Sequence, residues 1–303
     1  MASKRSLMDL LGAPWTSMGE AFNRRGGRGE AEIKILTAPD GRRVGLIHLN
    51  GEGRPHFHTK ASSFFILDGT MELRDRIIGP GTWAIEPYGA VHPHTRFHDV
   101  VYGLGMAEGD FGVGNVVLDR IEDAPEWVAR AGLKPGDFST LVEAHSVPWL
   151  PFGDGLSIKV LHVFDERSAF AALFRAEQGA QLSRRRYLGP ADFYVLGGQM
   201  EFADATATPG TWVHEPAGAE DEAVTFRVAT EFLANMYGAV VEFDIGGAVS
   251  RVIAGFALRD LAHVRTDGQP DVTKLSHADQ QRALAAFATV SSLRHRERVT
   301  VDG

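Results

Sequence analysis

The feature that most constrains this chain is that it repeats itself. Phe64–His92 (FFILDGTMELRDRIIGPGTWAIEPYGAVH) and Phe193–Asp221 (FYVLGGQMEFADATATPGTWVHEPAGAED) align without a gap at an offset of 129, with 14 of 29 positions identical. Gly69/Gly198, the Pro-Gly-Thr-Trp runs ending at Trp83 and Trp212, Glu86-Pro87/Glu215-Pro216 and Gly89/Gly218 all recur. The likeness extends outward. Pro14-Trp15 and Pro148-Trp149 lead into the two copies, and Ile33-Lys34-Ile35-Leu36 matches Ile158-Lys159-Val160-Leu161. A unit of roughly 110 residues is an ordinary domain and far too long for a solenoid repeat. A chain of 303 residues therefore reads as one domain duplicated.

Within each unit the local signals are β. Short apolar runs at Glu32–Leu36, Val44–Leu49, Phe64–Leu67, Thr82–Ile85 and Val100–Leu104 are bounded by turn dipeptides such as Asp40-Gly41, Asp68-Gly69 and Pro80-Gly81. Many short strands between 34 glycines and 14 prolines suggest an all-β chain of two barrels of jelly-roll type. Helix is expected only at the edges: Ala124–Ala131 after Pro125, and His277–Arg294 capped by Ser276. Ser6–Asn23 fits neither pattern well. The expected organisation is an N-terminal domain over 1–120, a linker over 121–147, a second domain over 148–258 and a helical tail over 259–303.

Composition narrows function by exclusion. A net charge of −8 lacks the basic surplus of a nucleic-acid binder. No apolar run reaches the length of a membrane span, and the start, MASKRSLMDLLGAPW, reads as mature sequence and not as a signal peptide. With no cysteine there is no disulfide, thiolate nucleophile or cysteine-held zinc, which suits a cytoplasmic setting. A metal would have to be held by histidine and carboxylate.

The histidines supply such a set. His56 and His58 are two apart, so a strand would point both to one face. His92 follows the tight turn that Pro87 and Gly89 allow. Three imidazoles converging inside a barrel form a site for a divalent transition metal with open positions for a small-molecule substrate. The second unit has lost these residues: Arg185, Tyr187 and Asp221 stand at the corresponding places.

These motifs resemble those of the cupin superfamily over about 220 residues of both repeats. His56, His58 and Gly69 correspond to its first motif, G-x5-H-x-H-x3-4-E-x6-G. Gly81, Pro87, Gly89 and His92 correspond to its second, G-x5-P-x-G-x-x-H-x3-N. The flanking Pro-Trp and GTW…EP-x-G blocks look most like ChrR-type and 2,4′-dihydroxyacetophenone dioxygenase-like cupins. Two departures matter: the family's glutamate ligand falls at Ser62 or Ser63, and its terminal asparagine at Arg96. The resemblance then implies a three-histidine site, favouring Fe(II), with Zn, Mn or Ni as alternatives. The activity implied is a dioxygenase acting on a chelating β-diketone, enol or hydroxyketone. A non-oxidative isomerase, cyclase or lyase, and a non-enzymatic metal or ligand sensor, remain as alternatives. A homodimer is an expectation from the family alone.

Five further residues complete the expected site. Glu86 could orient metal-bound water or an imidazole, yet Glu215 holds the same place in the repeat without the histidines, which favours a structural role. His94 is a fourth ligand, an acid–base group, or an exposed strand histidine. Ser62 could bond substrate or water, with packing as the other reading. Phe64 and Ile66 share its strand parity and would line an apolar pocket wall. Trp83, Trp212, Trp15 and Trp149 recur and read as packing residues. Arg184-Arg185-Arg186 reads as a solvated strand edge.

Overall fold

The computed structural model describes residues 5–18, 28–59, 61–73, 76–86, 88–107, 115–132, 140–153, 155–164, 168–255 and Leu258. The chain divides into two compact units, Leu10–Ala144 and Met1–Asp9 with His145–Gly303. We refer to them as the N-terminal and C-terminal barrels.

In the N-terminal barrel the large sheet runs in the order Thr140–Glu143, Thr82–Glu86, Ser62–Asp68, Thr95–Ala107, Arg43–Gly53, Arg28–Thr37, Thr16–Ser17. A small sheet places His56–His58 between Val91–His92 and Asn115–Val117. In the C-terminal barrel the order is Ser6–Asp9, Thr211–Glu215, Ala191–Gly197, Thr230–Met236, Ala169–Ala176, Leu156–Phe164, Leu150–Gly153. The strand pairs Ser62–Asp68/Ala191–Gly197, Thr82–Glu86/Thr211–Glu215, His56–His58/Arg185–Tyr187 and Val91–His92/Glu220–Asp221 coincide at the offset read from the sequence. Every β run expected from the sequence lies in a strand, and the linker helix forms over Ala124–Arg130. The helix expected over His277–Arg294, like the whole tail 259–303, falls outside the described residues.

The unit boundaries differ from those expected. Ser6–Asp9 pairs with Thr211–Glu215, with Ser6 opposite His214 and Asp9 opposite Thr211. Thr140–Glu143 pairs with Thr82–Glu86, with Thr140 opposite Ile85 and Glu143 opposite Thr82. Ile85 and His214 correspond in the repeat, so the two strands fill the same place. Each also precedes a Pro-Trp pair at the same spacing. The strand that leads each repeat thus completes the barrel of the other repeat. This gives Ser6–Asp9, left open by the sequence, its structure. It also puts Ile121–Asp123, Ala124–Arg130 and Thr140–Glu143, expected as linker, within the N-terminal barrel.

Packing explains why the repeat kept its tryptophans. Trp83 and Trp212 are fully buried, and Trp212 donates its ring N–H to Asp192 at 3.0 Å. Trp15 and Trp149 are different: each lies under a lysine, Lys34 and Lys159, with the ammonium 4.9 Å from the ring centroid in both. The recurring Trp and Ile-Lys motifs therefore form the same cation–π contact twice. No helix among the described residues is long and apolar enough to cross a membrane.

Candidate metal centre

The site begins with a turn. Gly89 adopts φ 77°, a left-handed conformation open mainly to glycine. Its N–H donates to the His58 carbonyl at 2.7 Å, and the His58 N–H donates to the Ala90 carbonyl at 2.9 Å. That clamp lays Val91–His92 antiparallel to His56–His58, with His92 opposite His56. Two motifs more than thirty residues apart thereby present three imidazoles to one point.

One ligand nitrogen from each of His56, His58 and His92 lies within 4.8 Å of the other two. The His56 and His92 rings stack with centroids 4.6 Å apart. The Arg54 carbonyl accepts from His56 Nδ1 at 3.0 Å, which fixes the tautomer and leaves Nε2 with its lone pair. Burial lowers the pKa of His56 well below 6.5 and, against the pull of Glu86, also lowers that of His58. Their neutral forms are the ones a metal needs.

Glu86 is buried at the centre of this cluster. One carboxylate oxygen is hydrogen-bonded to His92 Nε2. The other accepts from Ser62 Oγ at 2.9 Å and lies 3.3 Å from His58 Nε2. Burial alone would raise its pKa; His58, His92 and Ser62 together hold it far below the usual carboxylate range. His58 Nε2 is buried and makes no hydrogen bond. A buried, unbonded nitrogen facing an ionised carboxylate and two further imidazoles fits a divalent cation.

The remaining expected residues separate. Ser62 stands opposite Glu86 in the sheet register and binds it. Ile66 is fully buried with Met71, Leu73, Ile78 and Phe97, and Phe64 packs against that cluster. These two belong to one apolar cluster of the N-terminal barrel. The structure does not bring His94 to the triad: its side chain is 52% exposed and its Nε2 lies 3.7 Å from Glu52. The sequence reading missed the Ser62–Glu86 bond, which follows from register and not from spacing along the chain.

The C-terminal barrel keeps the frame without the histidines. Gly218 donates to the Tyr187 carbonyl at 2.7 Å, and Tyr187 N–H to the Ala219 carbonyl at 3.0 Å, the same clamp. At the four site positions stand Arg185, Tyr187, Glu215 and Asp221, all buried. Arg185 is thus an interior residue, which corrects its reading as part of a solvated edge.

The profile of the ChrR cupin-like domain family matches residues 13–111 and again 138–241. No curated protein matches significantly. Among solved structures, a candidate dioxygenase from Nostoc punctiforme aligns with TM-score 0.59 at 13% identity, covering 83% of this chain and 86% of that one. Oxalate decarboxylase from Bacillus subtilis aligns with TM-score 0.50 at 14% identity, covering 75% of this chain and 78% of that one. At these identities the likeness establishes architecture: two tandem jelly-roll barrels. With both halves matched by one family and both built on one frame, this chain belongs to the ChrR cupin-like family as a two-barrel cupin.

Proposed function

We propose that the N-terminal barrel is the active site of an iron(II)-dependent dioxygenase acting on a small chelating substrate such as a β-diketone, enol or hydroxyketone. The observation that carries this reading is the convergence of three imidazoles on one point beside an ionised Glu86. His56, His58 and His92 would hold the metal. When bound, divalent iron would supply dioxygen chemistry and a Lewis acid for a substrate with adjacent oxygen atoms. Three neutral ligands leave the ion's charge uncancelled by the triad, which favours an enolate as the bound form. The candidate dioxygenase from Nostoc punctiforme supports the oxidative reading by analogy of architecture only.

The chain's own residues have distinct tasks. The Arg54 carbonyl aims His56 through its Nδ1 proton. Ser62 aims Glu86. Glu86 orients His92 through its hydrogen bond and sets the local charge. Phe64 and Ile66, on the strand that carries Ser62, would supply an apolar wall that excludes water. We assign His94 no part in proton transfer, because it stands exposed beside Glu52.

The test is metal content and oxygen uptake on anaerobically purified protein, with the double variant His56→Ala/His58→Ala beside it. The expected result is about one iron per wild-type chain, lost in the variant, and oxygen consumption with a β-diketone or hydroxyketone panel. Metal binding with substrate turnover but no oxygen uptake would transfer the site to the isomerase, cyclase or lyase class. Failure of the wild type to retain iron, manganese, nickel or zinc would end the metalloenzyme reading.

A further inference from the structure

The C-terminal barrel holds a side chain where the N-terminal barrel presents its imidazoles. Arg5, just before Ser6–Asp9, is only 14% exposed. Its Nε donates to Glu215 and one terminal nitrogen to Asp221. The other terminal nitrogen donates to Asp204 at 3.0 Å. The guanidinium carbon stands 3.9 Å over the centre of the Phe202 ring. Glu215 and Asp221 correspond to Glu86 and His92 in the repeat. Tyr187, at the place of His58, donates its hydroxyl to Asp221 at 3.1 Å.

The surroundings favour a flat, singly charged cation over a metal ion. Arg185, at the place of His56, bonds the Ser183 carbonyl at 2.8 Å and lies 3.7 Å from Glu242. Arg251 donates to Glu242 at 2.6 Å. Glu242 is thereby committed to its own arginines, and their charges oppose a second dication nearby. What remains for Arg5 is a carboxylate on each of three N–H edges and an aromatic face below, the pattern that guanidinium geometry satisfies and ammonium does not. Glu215 Oε2, fully buried, has no hydrogen bond, so the carboxylate is bound through one oxygen only, the one facing Arg5. At the position preceding Thr140, which leads the other repeat, the sequence has Ser139 and not arginine.

We propose that the C-terminal barrel is a guanidinium-binding site whose resident ligand is Arg5 of the chain's own N-terminal strand. The ligand class is a monosubstituted guanidinium, of which an arginine side chain is the tethered form. This site is independent of the metal reading for the other barrel. It would keep the second set of carboxylates closed to metal ions, so that a chain with two similar frames carries one metal.

The test uses full-length Arg5→Ala in thermal unfolding with millimolar ethylguanidinium, and ethylammonium or sodium chloride as controls. The expected result is a lower Tm than wild type, raised saturably by ethylguanidinium and not by the controls, with wild type unresponsive. In Arg5→Ala/Asp221→Asn the rescue should vanish. A rise given equally by ethylammonium, a rise that persists in the double variant, or one given by manganese or zinc in place of ethylguanidinium would overturn the proposal. If Arg5→Ala does not fold, wild type decides by nitrogen-15 NMR of labelled arginine, with Arg5→Lys for assignment. A slowly exchanging Arg5 Nε–H is expected, and a solvent-rate one would overturn the proposal.

Discussion

The two barrels place a buried glutamate at the same point, Glu86 and Glu215, and surround it differently. In the N-terminal barrel Ser62 and two imidazoles hold the carboxylate. In the C-terminal barrel the residue at the place of Ser62 is Ala191, and Arg5 holds the carboxylate instead. The interiors differ in the same sense. Phe193 and Val195, at the places of Phe64 and Ile66, are buried in one large apolar cluster that includes Phe170, Phe174 and Phe232. Phe64 remains partly exposed. A frame that buries a carboxylate must supply a partner for it, and the partner chosen decides whether the space beside it stays open to a ligand. Burial raises the Glu215 pKa despite Arg5, whereas the imidazoles and Ser62 outweigh burial at Glu86. The recurrence of the glutamate is therefore structural in origin, and among the described residues the N-terminal barrel alone brings three imidazoles together beside it.

The largest effect should come from breaking the C-terminal arrangement. Glu215→Ala leaves the Arg5 guanidinium enclosed with one partner fewer, and truncating one member of such a buried pair costs about 3–5 kcal/mol. Urea unfolding should show that loss, while metal content stays at the wild-type level. A cost below about 1 kcal/mol, the range of a surface pair, would mean that Arg5 and Glu215 are not coupled as their geometry implies. Glu86→Gln should act the other way. Loss of the carboxylate that orients His92 and faces His58 should weaken metal binding about 10- to 100-fold, measured by competition with a chelator. Stability without metal should change far less than in Glu215→Ala. Equal metal affinity in Glu86→Gln and wild type would reduce Glu86 to a strand-end residue like its counterpart.

Much of this was legible in the sequence, for identifiable reasons. The β runs, the duplicated frame and the three histidines carry direct signals: parity along a strand, a gapless internal alignment, and a turn that Gly89 makes at φ 77°. The strand runs and the His56/His58 pair depend on residues close together in the chain, and the repeat is read by aligning the chain with itself. The exchanged lead strands were not legible. Ser6–Asp9 and Thr140–Glu143 are four residues each, and nothing in their composition says which sheet they join. Arg5 was missed with them, since its partners lie about two hundred residues away. His94 misled because strand parity with His92 ignores the end of the strand: Val91–His92 ends at His92, and His94 lies beside Glu52.

Ser62→Ala is the smallest perturbation and the sharpest separation of the two barrels, because it gives the N-terminal barrel the alanine that the C-terminal barrel already has at Ala191. The hydroxyl donates one hydrogen bond, at 2.9 Å, to a carboxylate oxygen that also faces His58. A hydrogen bond to a charged group contributes about 1.5–3 kcal/mol. Most of that should be retained here, since Glu86 keeps His92 and the vacated space is one oxygen wide. The expected outcome is therefore a stability loss of about 1 kcal/mol in urea, and a metal affinity that falls less than in Glu86→Gln. If instead Ser62→Ala matches Glu86→Gln in metal affinity, the carboxylate has no fixed position without the serine. The hydroxyl at residue 62 would then be what keeps this frame a metal centre, and its absence at Ala191 would be as important to the other barrel as the loss of the histidines.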